Sequence, residues 1–225
     1  MQGVAPMMHR GVAWPPVRPG RRHPIHSPLV DRRSFGCLFE VVETLVLTLI
    51  IFFVIQTFVA QPYQVQQQSM ERTLEPNEYV LVDKLTPRWD AYSRGDIVVF
   101  NPPETWTSDK TPFIKRVIGL PGDTVQVKED GFVYVNDVRL DEPYTYANDA
   151  GINEPTESAP DQTRWVVPDG QLFVMGDHRK RSADSRYFGP ISTSDVIGRA
   201  FLRYWPIGTF GILQTPVYPD IPTSP

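Results

Sequence analysis

The sequence predicts a mainly β protein: a coiled antiparallel β-sheet domain preceded by a single N-terminal transmembrane helix. Three observations carry this expectation. One uncharged apolar run, Thr44 to Ala60, lies in the first third of the chain. Beyond it come short stretches rich in Val, Ile, Phe and Tyr, each bounded by Gly, Pro or Asp. No long segment among them keeps a helical period. At 225 residues, with 41% hydrophobic and 21% charged residues, the chain suits one folded domain of moderate size.

Residues 1–36, rich in Pro and Arg, read as a disordered cytoplasmic leader. Within residues 1–36 six arginines (Arg10, Arg18, Arg21, Arg22, Arg32 and Arg33) stand against one acid, Asp31. The run itself, TLVLTLIIFFVIQTFVA, is apolar on all sides. As a helix its 17 residues rise about 25 Å, near the lower limit for crossing a bilayer. An anchor over residues 37–60 places Glu40 and Glu43 at the interface. A buried core helix fits less well, because an all-round apolar surface beside an arginine-rich flank favours a span. The arginine excess predicts a single-pass protein of the cell membrane, its N-terminus cytoplasmic and residues 61–225 extracytoplasmic. A cleaved signal peptide is disfavoured by the long charged leader and by Phe58 at −3 to a cleavage after Ala60.

Residues 61–215 are expected to form the β domain, and 216–225 a Pro-rich tail. The strand candidates are EYVLVDKL, RGDIVVF, PFIKRVIGL, DTVQVKE, GFVYVNDVRL, QLFVMGD and VIGRAFLRYW. Asn136-Asp137 supplies hairpin-turn chemistry inside YVNDV. Residues 101–112 and 143–162 read as loops. After Ala60 there are 23 acidic and 16 basic residues, which argues against a nucleic-acid partner. The one cysteine, Cys37, cannot form an internal disulfide, and no Cys or His cluster has metal-ligand spacing. Neither a metal nor another cofactor is expected.

In the stretch QVQQQSMERTL only eight residues separate Ala60 from Ser69, so full extension keeps Ser69 within about 30 Å of the helix end. Chemistry there would work beside a lipid bilayer, on a substrate that is itself membrane-borne. A serine nucleophile needs a partner to take its proton. The only histidine after the apolar run is His178, so a Ser-His-Asp triad would have to use it. Otherwise the base is a lysine, and Lys84, Lys110, Lys115, Lys128 and Lys180 are the candidates. A lysine base must be neutral, which burial in apolar surroundings achieves. Lys115 lies mid-strand with Phe113 and Val117 on its face, which suits a desolvated amine. Alternation alone does not decide, since Arg116 has Ile114 and Ile118 on the other face. The segment MGDHRKRSADSRYFGP adds a polar turn with Asp177, Ser182, Asp184, Ser185 and Arg186.

Four ordered boxes, QSMERTL, RGDIVVF, KRVIGLPGDTV and GDHRKRSADSRYFGPI, together resemble signal peptidase I, the membrane-bound serine–lysine protease family of S26 type. The boxes run from Gln68 to Ile191, and the resemblance covers the chain from about Gln61 to Tyr204. The resemblance implies cleavage of signal peptides from exported preproteins, with small residues at −1 and −3 of the substrate. It implies Ser69 as nucleophile and Lys115 as general base. Ser182 then matches the hydroxyl that orients the amine, and Asp184 and Arg186 match a supporting pair. The implied fold is mainly β with coiled sheets.

The chain departs from the family pattern at four places. Gln66 and Arg72 stand where the family usually has prolines, and His178 where it has Asn. Gln67 replaces the hydroxyl residue of the oxyanion hole, where its side-chain amide would have to act as the second donor. These departures leave one other class of function in view, an inactive membrane-tethered β module that binds export partners without cutting.

Overall fold

The computed structural model describes residues 32–221. Most of the leader therefore lies outside the described residues, as do the last four residues of the tail. Helix α1 runs Arg32–Val54 and continues as one wide turn, Ile55–Val59. From Phe39 to Val59 it is long and apolar enough to cross a membrane, by length and composition.

The remainder is antiparallel β structure. Strands β1 (Ala60–Gln64), β2 (Tyr79–Asp83), β3 (Ile97–Phe100) and β4 (Phe113–Gly119) are followed by β5 (Thr124–Val127), β6 (Val133–Val135) and β7 (Val138–Arg139). Then come β8 (Arg164–Val166), β9 (Gln171–Met175), the one-turn helix α2 (Ser185–Phe188), β10 (Ile191–Ser192), β11 (Val196–Trp205) and β12 (Gly211–Ile212). The larger sheet has the order β1-β2-β11-β3-β4-β9-β10, with β12 beside β11, and the smaller has β7-β6-β5-β8. Register shifts interrupt β11 against both of its long neighbours and β4 against β9. Such bulges bend a strand and raise its twist, which is how a long sheet coils. The predicted mainly β fold is borne out.

All seven strand candidates form strands. Asn136 and Asp137 both take positive φ (50° and 65°) at the β6–β7 turn, as a tight hairpin of the primed type demands. Four short strands escape the sequence pattern. Strand β1 carries Pro62, which a central strand would not accept, but β1 is an edge. Strand β8 is three residues long, and β10 and β12 are two each, too brief to show alternation.

Three apolar clusters fill the domain. Alternation in β3 divides it between two of them. Val98 and Phe100 join Val117, Leu172, Val174 and Ile191, while Ile97 and Val99 join Met70, Leu74, Val80 and Val82. The third cluster packs Val125, Val135 and Trp165 of the smaller sheet onto Phe173 and Met175 of β9. Of the Pro-rich stretch after residue 215, Ile221 is buried, and Tyr218 Oη donates to Tyr144 Oη at 3.1 Å.

Candidate active site

Past β1 the chain enters a short 3-10 turn, Gln68–Met70. Val65 N–H donates to Glu78 O and Asn77 N–H to Val65 O, both at 2.8 Å, closing the loop that carries the turn. Met70 and Leu74 insert fully into the apolar cluster beneath, which fixes the turn from inside. Ser69, between exposed Gln68 and buried Met70, is 1% exposed. The turn ends with Arg72 at φ 82°, a left-handed conformation that costs a non-glycine residue on the order of 1 kcal/mol.

Lys115 lies in β4, flanked by β3 and β9, and is 1% exposed. Its Nζ stands 2.7 Å from Ser69 Oγ and donates to Ile114 O at 3.1 Å. The ring of Phe113, its neighbour by alternation, has its centroid 5.2 Å from the amine. Burial pushes the Lys115 amine down to about 8; the carboxylates of Asp184 and Asp177 oppose that shift and the Arg186 cation reinforces it. Roughly one amine in ten is then neutral at pH 7.

Asp184 caps α2 and accepts from Gly176 N–H at 3.0 Å and from Arg186 N–H at 3.2 Å. Burial alone would raise its carboxyl, but the Arg186 guanidinium and these donors hold it below the usual range. Arg186 also donates to Arg179 O at 2.6 Å and to Glu157 O at 2.9 Å. Ser182 is buried, and its hydroxyl also helps to hold the Asp184 carboxyl low. A Cβ at Gly176 would fall 2.4 Å from Ser182 Oγ and 2.5 Å from Ser69 O, so only glycine lets the two turns approach this closely.

Gln67 is exposed and lines a narrow cleft with Val65, Val80, Val99, Pro112 and Ile114. Of the residues singled out from the sequence, Ser69 and Lys115 thus meet, and Asp184 and Arg186 meet. Ser182 is buried beside Gly176, while Gln67 stands at the cleft.

A second buried ion pair escaped the sequence. Arg116 Nε and Nη2 donate to Asp177 Oδ1 and Oδ2 at 2.9 and 2.7 Å, and Thr73 Oγ1 donates to Asp177 Oδ2 at 2.5 Å. The Arg116 guanidinium lies 3.9 Å from the Tyr144 ring centroid. Although burial opposes it, the Asp177 charge raises Arg116 further above its ordinary range. A signal did exist: an arginine in mid-strand flanked by Ile114 and Ile118 must find a carboxylate if it is to be buried. Arg179 and Glu142 form a further pair, at a very short contact. Among the described residues no group of three or more His, Cys, Asp or Glu side chains is arranged to hold a metal ion.

A buried serine and a buried lysine thus lie in contact on a coiled antiparallel β domain. The family profile described as "Signal peptidase, peptidase S26" matches residues 38–205, and the chain belongs to that family. It is 40% identical over 179 residues to a probable signal peptidase I-2 of Synechocystis sp., covering 77% of this chain and 76% of that protein. A signal peptidase I of Leptolyngbya laminosa is 36% identical over 209 residues, 90% of this chain and 93% of that protein. A signal peptidase IB of Staphylococcus aureus is 31% identical over 182 residues, 77% of this chain and 92% of that protein. The crystal structure of a signal peptidase I from Enterococcus faecalis matches at 33% identity with a TM-score of 0.37, covering 49% of this chain and 97% of that one.

Proposed function

We propose that this protein is a membrane-anchored serine endopeptidase that removes N-terminal signal peptides from exported preproteins with a Ser69–Lys115 dyad. The observation that carries the reading is the 2.7 Å approach of Lys115 Nζ to Ser69 Oγ in a site closed to solvent. Family membership supplies the substrate class.

The chemistry follows from the amine's depressed proton affinity. In its neutral form Lys115 turns its lone pair to the hydroxyl and takes the Ser69 proton, keeping an N–H on Ile114 O. Ser69 Oγ attacks the scissile carbonyl and forms a tetrahedral intermediate. Its oxyanion is received by the Ser69 N–H and the Gln67 side-chain amide. The Lys115 ammonium then protonates the leaving amine, and the C–N bond breaks. Water, deprotonated by Lys115, hydrolyses the acyl-enzyme and frees Ser69. Asp184 with Arg186, and Asp177 with Arg116, hold the turns around the dyad, and the family pattern assigns the buried Ser182 hydroxyl to orienting the amine.

The reading includes an anchor over residues 37–60 with a cytoplasmic N-terminus and the β domain outside, and only eight residues separate Ala60 from Ser69. Support comes from the apolar helix and from the arginines that precede it. The test is cleavage of a preprotein by the full-length chain in lipid vesicles, compared with Ser69→Ala and Lys115→Ala. Both variants are expected to be inactive, and cleavage persisting in either one contradicts the dyad.

A further inference from the structure

The His178 ring is buried and stacks on Tyr146, with ring centroids 3.9 Å apart and planes 4° from parallel. Nδ1 lies 2.6 Å from Glu71 Oε2, two residues past Ser69. Nε2 lies 3.7 Å from Glu154 Oε2, a buried oxygen with no hydrogen-bond partner among the described residues. The backbone N–H of His178 donates to Ser69 O at 3.0 Å. One residue thus touches the serine turn twice, through main chain at Ser69 and through side chain at Glu71.

The platform behind it is a small hairpin. Tyr146 N–H donates to Asp177 O at 3.0 Å, Glu154 N–H to Tyr146 O at 3.1 Å, and Ala147 bridges Asn153. The same hairpin reaches the serine turn independently. Arg72 Nη1 donates to Thr145 O at 2.5 Å and to Asn153 Oδ1 at 2.8 Å. The left-handed backbone at Arg72 is therefore held by a side chain locked across the gap.

We propose that His178 is a positioning residue for the serine: clamped on Tyr146 and bonded to Glu71, it holds the turn that carries Ser69 in register with Lys115. This rests on Ser69 being the nucleophile. A serine on a turn approaches a carbonyl productively only over a fraction of an ångström, so a clasp on that turn acts on the chemical step more than on substrate binding. His178→Phe keeps the flat stack on Tyr146 and removes the bond to Glu71. His178→Asn restores a donor without the ring.

The experiment measures preprotein cleavage by the full-length chain in vesicles, with kcat and KM taken separately. His178→Phe is expected to lose about 10- to 100-fold in kcat with KM within about twofold, and His178→Asn to recover most of the loss. Glu71→Ala, which removes the acceptor from the other side, is expected to show the same loss in kcat. It decides between the outcomes if the Phe variant fails to fold. Wild-type kcat in either single variant, a loss confined to KM, or no recovery in His178→Asn overturns the proposal. Ser69→Ala in the same assay separates the two readings. An inactive Ser69→Ala beside a fully active His178→Phe defeats the clasp alone, whereas an active Ser69→Ala defeats the nucleophile.

Discussion

Asp184 and Arg186, two positions apart, close a two-pronged ion pair that no solvent reaches, with Nε–Oδ1 at 2.8 Å and Nη2–Oδ2 at 3.0 Å. Replacing Arg186 by Met leaves the carboxylate buried and uncompensated, which is expected to cost about 3–5 kcal/mol of stability in a denaturant titration. Because its folded proton affinity is held low, the stability Asp184 contributes is present above its ordinary 3.8 and is lost as pH falls below that value. The Met variant should therefore show a weaker decline in stability toward acid than the wild type. Arg186 also lowers the proton affinity of Lys115, so its removal should move the activity profile to higher pH.

Lys115 works against the fold. Its amine falls from 10.5 to about 8 on folding, so the charged form is disfavoured in the native state. Between those two values the unfolded chain binds more protons than the native one, and stability rises with pH across that window. Below about pH 8 the penalty is fully present. Lys115→Met keeps the chain's length and removes the charge. The variant should be inactive and more stable than wild type at pH 7, by on the order of 3 kcal/mol. The advantage should shrink at pH 10. Urea titrations of both proteins at the two pH values check the sign.

Gln67 lies at the rim of the cleft, two residues before Ser69. If its amide receives the oxyanion, Gln67→Ala should lower kcat by about 10²–10³ with little change in KM. Gln67→Ser, which restores a short hydroxyl donor, should keep far more activity than the alanine variant. Equal kcat in all three proteins would show that the second donor is another group.

The legible part of the molecule was the part written locally. The run TVQV carries its own alternation, IVVF is a short continuous apolar run bounded by turn residues, and Asn136-Asp137 announces its turn. Lys115 could be ranked by its neighbours Phe113 and Val117, although its meeting with Ser69 spans 46 positions. Ion pairs of high sequence separation left only half a trace: Ile114 and Ile118 beside Arg116 call for a carboxylate without saying which. Arg116 and Asp177 are 61 positions apart, and either could have been a solvated surface charge. The grip of the 145–154 hairpin on Arg72 and His178 was likewise hidden, because residues 143–162 have the composition of a plain acidic loop. Strand β1 was obscured by Pro62, whose missing N–H matters little at an edge.

The central claim is that a buried amine, neutral in its working state, activates Ser69. Its most direct test is the rate at which a serine-reactive acylating probe labels Ser69 as a function of pH. The rate is expected to rise about tenfold per pH unit up to a midpoint near 8, level off above it, and vanish in Lys115→Met. A rate independent of pH through that range, or labelling undiminished in Lys115→Met, would contradict it.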